Sequence, residues 1–228
     1  MKTTNGSSVA FINSMGSDLT IVNAARVSFD KESDWSHPQY DGDPDKILKV
    51  ADEKLINYLA KHNHWSPFAH TSIQLRVNAP IFVARQLVKH QVGGVWNEVS
   101  RRYVDDEPVF YFPDKWRKRA ENVKQGSSDE EFNPIPDWKK HLETTICNTV
   151  NYYNEMIKQG CSPEKARMIL PQNMMTSWYW TGSLMFFHRV YKQRTDAHAQ
   201  LETQEVAKEI GTICNDLFPI AWRALNGI

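Results

Sequence analysis

Residues 71–79 constrain the fold more than any other part of this chain, because mostly apolar side chains alternate strictly with polar ones. Such a period of two predicts a β-strand that buries one of its faces. Pro80 ends the strand, and proline also suits the first turn of a helix, so the segment IFVARQLVKHQ that follows is predicted to be helical. The side chains that would face the core are Thr71, Ile73, Leu75, Val77 and Ala79.

Further helices are predicted on both sides of this strand. Residues 176–180 are aromatic and predict a second strand, and residues 111–113 indicate the end of a short one. The helices would be one opened by Asp43 and Pro44 and running to about His62, residues 138–158, a short one from Pro163 to Pro171 capped by Ser162, one from Gly182–Ser183 to Tyr191, and residues 199–225 as one helix or two.

This order of elements predicts an α+β fold. Strands do not alternate regularly with helices, which makes a doubly wound parallel sheet the less favoured architecture. We expect one domain over residues 1–228, with a mostly antiparallel sheet and several helices. Residues 125–137, QGSSDEEFNPIPD, are typical of an exposed insertion.

Composition restricts the possible partners and the compartment. The 228 residues carry 27 basic and 27 acidic side chains, so net charge offers no long-range attraction to nucleic acid or to an anionic membrane. No apolar run approaches the ~20 residues that span a bilayer, and the first residues lack the features of a signal peptide. Three scattered cysteines indicate reduced thiols in a cytoplasmic protein.

The helix predicted after the first strand carries polar side chains at its carboxyl end. Gln86, Lys89 and His90 are spaced so that they would lie within reach of one another. The pair Gly93–Gly94 next to them would let a ligand approach the main chain. Residues 97–103, NEVSRRY, could then hold a phosphate through arginine while accepting hydrogen bonds from a base or a sugar. A solvated loop with surface ion pairs explains the same residues equally well.

A second polar cluster spans residues 193–200, QRTDAHAQ. Thr195 or Asp196 could cap the last helix, and capping explains most of this polarity. Capping does not explain Arg194, which is therefore a candidate functional residue.

Three other segments have structural interpretations. Residues 62–70 hold three histidines without zinc-site spacing, so we expect no metal site there. The run KWRKR at residues 115–119 indicates a solvated helix end rather than a nucleic-acid surface. The aromatic stripe of residues 178–180, with residues 185–187, is typical of a core. Rossmann, P-loop and nucleophile-elbow motifs do not occur.

Taken together, six segments in order across the chain resemble the flavin-dependent thymidylate synthases. The matching segments are residues 24–29 (AARVSF), 64–70 (HWSPFAH), 79–86 (APIFVARQ), 97–103 (NEVSRRY), 166–171 (ARMILP) and 194–200 (RTDAHAQ). The resemblance implies a homotetramer whose active sites are shared between chains. It also implies methylation of dUMP to dTMP, with methylenetetrahydrofolate as carbon donor and FAD, reduced by NADPH, as hydride source. A cysteine nucleophile on the uracil is not expected, and nor is a nucleic-acid or membrane partner.

The same resemblance implies roles for individual residues. Arg194 would be catalytic, because a permanently charged guanidinium can stabilise negative charge that develops on the pyrimidine. The residues that would bind dUMP are Gln86, Lys89, Glu98, Val99, Ser100, Arg101, Arg102, Arg167 and Arg194. Those that would bind the flavin are Ser66, Lys89, His90, Gln91, Glu98, Ser183 and Arg189.

The chain also departs from the family signature. That signature is Arg-His-Arg followed by Ser, whereas this chain has Lys89-His90-Gln91 and a spacer that is one residue longer before Ser100. Lysine keeps the charge but loses the bidentate fork, and glutamine loses both. Ala69 and Met185 replace residues that are often charged in the family. Two alternatives follow: a flavin-dependent NADPH oxidase of the same fold, or a dUMP-binding protein that has lost methylation.

Overall fold

The computed structural model describes residues 1–36, 47–121 and 126–228. Eight strands and eight helices lie in these ranges. The strands are β1 (Lys2–Thr4), β2 (Ser8–Met15), β3 (Ser72–Pro80), β4 (Gly94–Glu98), β5 (Val109–Tyr111), β6 (Arg117–Arg119), β7 (Ser127–Glu131) and β8 (Met175–Gly182). The helices are α1 (Asp18–Arg26), α2 (Val50–Lys61), α3 (Ile81–Leu87), α4 (Trp138–Lys158), α5 (Pro163–Ala166), α6 (Leu184–Arg194), α7 (Leu201–Leu217) and α8 (Pro219–Asn226).

The central sheet has four strands in the order β2-β3-β8-β4, and all its neighbours are antiparallel. This confirms the α+β class and the mostly antiparallel sheet. Val77 lies opposite Trp178, and Leu75 lies opposite Trp180, so the apolar faces of β3 and β8 coincide. A separate pair, β1 and β5, is parallel, and β6 with β7 forms an antiparallel hairpin.

The main core lies between one face of this sheet and the helices. Ile73, Leu75 and Val77 are completely buried, as the alternation predicted. Trp180 packs edge-to-face on Phe186 and Phe187 of α6, each with ring centroids 5.5 Å away. Burial of each such large side chain contributes roughly 1.5–3 kcal/mol. The aromatic stripe is therefore core, although Tyr179 points to the opposite face and is 44% exposed.

Long local patterns predicted their elements well. The first strand is confirmed with a shift of one residue, and α4 has the predicted bounds. Residues 176–180 lie within β8, α6 begins after Ser183, and residues 199–225 form two helices, α7 and α8. The helix predicted to run to about His62 is α2, which begins at Val50 and ends at Lys61. Its predicted start at Asp43 and Pro44 lies outside the described residues, and residues 47–49 are not helical. No described helix has the length and apolar character needed to cross a membrane.

Four predictions were wrong. The helix after Pro80 ends at Leu87 instead of Gln91, for a reason given below. Residues 115–119 contain β6 rather than a helix end, because they pair with β7. The helix predicted from Pro163 to Pro171 ends at Ala166, with a short 3₁₀ helix after it, and the Ser162 side chain forms no capping hydrogen bond. Gln200, not Thr195 or Asp196, precedes the first residue of α7.

Residues 125–137 were predicted to be an exposed insertion. The described part, residues 126–137, is mostly exposed and includes β7.

Candidate active site

Two cavities border opposite ends of β5. The larger has a volume of about 820 Å³, and the smaller about 300 Å³. Tyr111 and Asn173 line the larger cavity, whereas Val109 and Met174 line the smaller one. Both cavities are therefore bordered by β5 and by residues 173–174, of which Asn173 is hydrogen-bonded to Tyr111. The two cavities share no lining residue among those described.

Arg194 lies at the end of α6 and borders the larger cavity. Its Nε donates a 2.9 Å hydrogen bond to Nε2 of His90, and an Nη donates a 2.9 Å hydrogen bond to the carbonyl oxygen of Gln86. Burial lowers the pKa of His90 to about 4, and the neighbouring charges of Arg194 and Arg189 act in the same direction. His90 is thus neutral near pH 7 and can accept the guanidinium's hydrogen bond.

This contact explains why α3 stops early. In a continuing helix the amide of His90 would donate to the carbonyl of Gln86. That carbonyl accepts from Arg194, and the His90 amide donates to Leu87 instead, at 3.0 Å. A cation at a helix carboxyl end also interacts favourably with the helix dipole. Arg194 therefore ends α3 and turns Lys89, His90 and Gln91 out of the helix on which they were expected.

Part of the lining of the larger cavity comes from segments for which the sequence predicted no function. Tyr111, Asn173 and the β6–β7 hairpin line it together with Gln86 and Gln200. The lining residues from the hairpin and the loop before it are Lys115, Trp116, Arg117, Gly126 and Ser127. Their only sequence signal was the basic run with its tryptophan, and the hairpin pairing that carries them to the cavity could not be read from it.

The smaller cavity collects a second set of candidates. Glu98, Val99 and Arg101 come from β4 and the turn after it, and Arg167 follows α5. Thr176 on β8 donates a 2.8 Å hydrogen bond to Glu98. Arg167 donates one N–H to the carbonyl of Glu164 at 3.3 Å and is otherwise exposed. A carboxylate and two guanidinium groups can together recognise a phosphate and a hydroxyl or ring N–H.

The turn after β4 orders the remaining nucleotide candidates. Ser100 accepts a 3.1 Å hydrogen bond from Nε of Arg102, whose guanidinium lies 4.9 Å from the ring centroid of Tyr103. The Val99 amide donates to Ser177 of β8 at 2.9 Å, which ties this turn to the sheet. The pairing of β4 with β8 starts where Gly94 lies opposite Gly182.

The flavin candidates form a looser set. Lys89, Gln91 and Ser66 are exposed, and Arg189 donates to the carbonyl of Val92, at 3.3 Å. Ser183 accepts from the Phe186 amide at 3.2 Å and so caps α6.

These cations fit an anionic cofactor. Neither Lys89 nor Arg189 forms an ion pair within the described ranges. Both can therefore bind an anion such as the pyrophosphate of FAD. Within those ranges no group of three or more histidine, cysteine or acidic side chains is arranged to hold a metal.

Fold and cavities thus define a class: an α+β protein with polar, arginine-bearing cavities suited to nucleotides. Residues 10–220 match the family model described as thymidylate synthase complementing protein. The chain is 35% identical to the flavin-dependent thymidylate synthase of Thermosipho africanus, over 93% of this chain and 88% of that protein. It is also 35% identical to the enzyme of that name from Thermus thermophilus, over 96% of this chain and 75% of that one. The chain belongs to the flavin-dependent thymidylate synthase family, which confirms the resemblance.

A solved structure gives the same result for the fold. The UMP/dUMP methylase PolB from Streptomyces cacaoi, bound with 5-Br dUMP, superposes with a TM-score of 0.80. The two sequences are 26% identical, and the alignment covers all of this chain and 98% of that one.

Proposed function

We propose that this protein is an FAD-dependent thymidylate synthase that methylates C5 of dUMP to give dTMP. Methylenetetrahydrofolate supplies the carbon, and bound FAD, reduced by NADPH, supplies the hydride. The observation that carries the proposal is the family match over residues 10–220, which includes every candidate site residue from Ser66 to Arg194.

The arginine at the end of α6 has the properties that activation of a pyrimidine requires. Its guanidinium is half-buried and held at two points, by His90 and by the Gln86 carbonyl. A preorganised cation stabilises developing negative charge without the cost of reorienting, and partial burial reduces screening by water. We therefore assign to Arg194 the stabilisation of the charge that forms on the uracil ring.

The two cavities support the proposal that each active site is shared between chains. In one protomer Gln86 and Arg194 line the larger cavity, while Glu98, Arg101 and Arg167 line the smaller one. Both sets are proposed to bind the same dUMP, so a complete site takes the first set from one chain and the second from its neighbour. A homotetramer of single-domain subunits provides this arrangement. The three unpaired cysteines and the nucleotide substrate favour the cytoplasm.

The test is the release of tritium from C5-labelled dUMP by the FAD-loaded protein with NADPH and methylenetetrahydrofolate. We expect release of label together with formation of dTMP. NADPH oxidation without dTMP would instead identify a flavin oxidase of the same fold. A colourless protein that binds dUMP but cannot be reconstituted with FAD would identify a non-catalytic nucleotide-binding protein.

A further inference from the structure

Thr203 lies in the first turn of α7 and is a completely buried polar residue. Its hydroxyl Oγ1 donates a 3.1 Å hydrogen bond to Oε1 of Gln86 on α3. Other helical threonines of this chain behave differently. Thr144, Thr145 and Thr149 in α4 and Thr212 in α7 all donate to the carbonyl four residues earlier. For Thr203 that carbonyl belongs to Ala199, which accepts from the Gln204 side chain instead.

The amide of Gln86 is held at both of its polar atoms. While Oε1 accepts from Thr203, Nε2 donates to Oε1 of Gln200 at 2.6 Å. Gln200 and Thr203 are three residues apart at the start of α7, so both point to the same side of the helix. The main-chain carbonyl of Gln86 is held as well, by Arg194. Within the described part of the chain, one N–H and one lone pair of the amide remain free at the edge of the larger cavity.

We propose that Thr203 is a positioning residue that orients the Gln86 amide for its contact with the pyrimidine nucleotide. This inference rests on the function proposed above. An amide with one free donor and one free acceptor matches a uracil edge, which presents a ring N–H beside a carbonyl. A buried hydroxyl that loses its partner keeps its desolvation cost, so Thr203 favours the one Gln86 conformation that satisfies it.

The hydroxyl can be removed with little change of shape. Thr203→Val is nearly isosteric, Thr203→Ala removes the hydroxyl with less risk of a clash, and Thr203→Ser retains it. Titration calorimetry with the FAD-loaded protein measures the Kd of dUMP. We expect the Val and Ala variants to weaken dUMP binding about 5-fold, the size of one neutral hydrogen bond, and the Ser variant to stay within about 2-fold of wild type.

A double-mutant cycle separates positioning from a general structural role. In a Gln86→Ala background, adding Thr203→Val should change the dUMP Kd no further, because the group that Thr203 orients is gone. Thr212→Val is the matched control, since it deletes a threonine hydroxyl that is bonded to its own helix. We expect it to leave dUMP binding unchanged. In steady state, Thr203→Val should raise the KM for dUMP and leave the KM for the folate unchanged.

The outcomes distinguish this proposal from the proposed function. If the wild-type protein binds dUMP and both hydroxyl-free variants bind it with the same affinity, the role of Thr203 is overturned but the proposed function is not. The same follows from a loss that is equally large in the Gln86→Ala background, or from a fall in melting temperature without a change in Kd. Failure of the wild-type protein to bind dUMP overturns both.

Discussion

At the scale of single residues, Arg194 links the fold to the chemistry. One guanidinium ends α3, fixes His90 and borders the larger cavity. The flavin candidates Lys89 and Gln91 follow directly after the helix end that it creates. A change at Arg194 should therefore affect both the reaction and the path of the chain before β4.

The first prediction concerns turnover by Arg194 variants. Arg194→Ala should lower kcat about 100-fold or more, as loss of a preorganised charge-stabilising donor does. It should weaken dUMP binding by a smaller factor, because the ground-state ring carries less charge than the transition state. Steady-state kinetics and calorimetry on the FAD-loaded protein measure both. Arg223→Ala, an exposed arginine bonded to its own helix, is the control. Equal losses in kcat and affinity would reduce Arg194 to an anchor for dUMP.

The second prediction concerns acid stability. The pKa of His90 is about 4 in the folded protein and near 6.5 in an unfolded chain, so the unfolded state takes up the proton first as the pH falls. Stability should therefore decrease between pH 6.5 and pH 4. His90→Gln, which keeps an acceptor for Arg194, should flatten this dependence in thermal unfolding.

His188, whose pKa burial also lowers, remains in that variant and preserves part of the slope. An unchanged slope in His90→Gln would show that His90 is not the group responsible.

At the scale of elements, two facing glycines set the register of β4. Gly94 and Gly182 are paired, and the ring of Phe186 fills the space that a Cβ on either would need. Phe186 is almost fully buried and packs edge-to-face on Phe187 at 5.0 Å, so it cannot move aside. This contact fixes the position of Glu98 and of the turn after it.

The third prediction tests this contact. Gly94→Ala should destabilise the protein by about 1–3 kcal/mol, the usual cost of overpacking a core. The pairing of β4 with β8 should also loosen, which should lower the affinity for dUMP. Gly6→Ala is the matched control, because a Cβ there meets nothing within 4 Å. Urea unfolding of both variants measures the difference. A Gly94→Ala protein as stable as Gly6→Ala would mean that Phe186 does not constrain β4.

At the scale of the whole molecule, two separate cavities hold two sets of residues that are proposed to bind one nucleotide. Tyr111 and Asn173 line one cavity, and Val109 and Met174 line the other, so the two cavities border opposite ends of this three-residue strand, β5. Two identical chains can supply one set each to a shared site.

The fourth prediction follows from this separation. Arg194→Ala and Arg167→Ala proteins should each be nearly inactive, yet co-expressed chains should recover about a quarter of wild-type activity, since random mixing assembles one intact site in four. Arg194→Ala mixed with Gln86→Ala is the control. Those two residues line the same cavity, so no mixture of the two restores an intact set. Failure of the first pair to recover would argue against shared sites.

The sequence alone was enough to predict several elements whose signals are local, although it did not predict β2 or α1. Strict alternation identified β3, residues 138–158 were predicted as the helix that is α4, and Ser183 marked the start of α6. It also carried the family resemblance, because the matching segments lie in order along the chain. Five-residue β4 and the β6–β7 hairpin were missed, since strands this short depend on the partner with which they pair.

Only the tertiary structure decided where α3 ends, the register of β4, and what holds Gln86. Each depends on a contact between residues far apart in the chain: Arg194 with Gln86, Phe186 with Gly94, and Thr203 with Gln86. Periodicity and capping report the preferences of a segment and its near neighbours. They contain no information about which distant side chain will satisfy a given carbonyl or amide, and at this site those distant partners position the candidate residues.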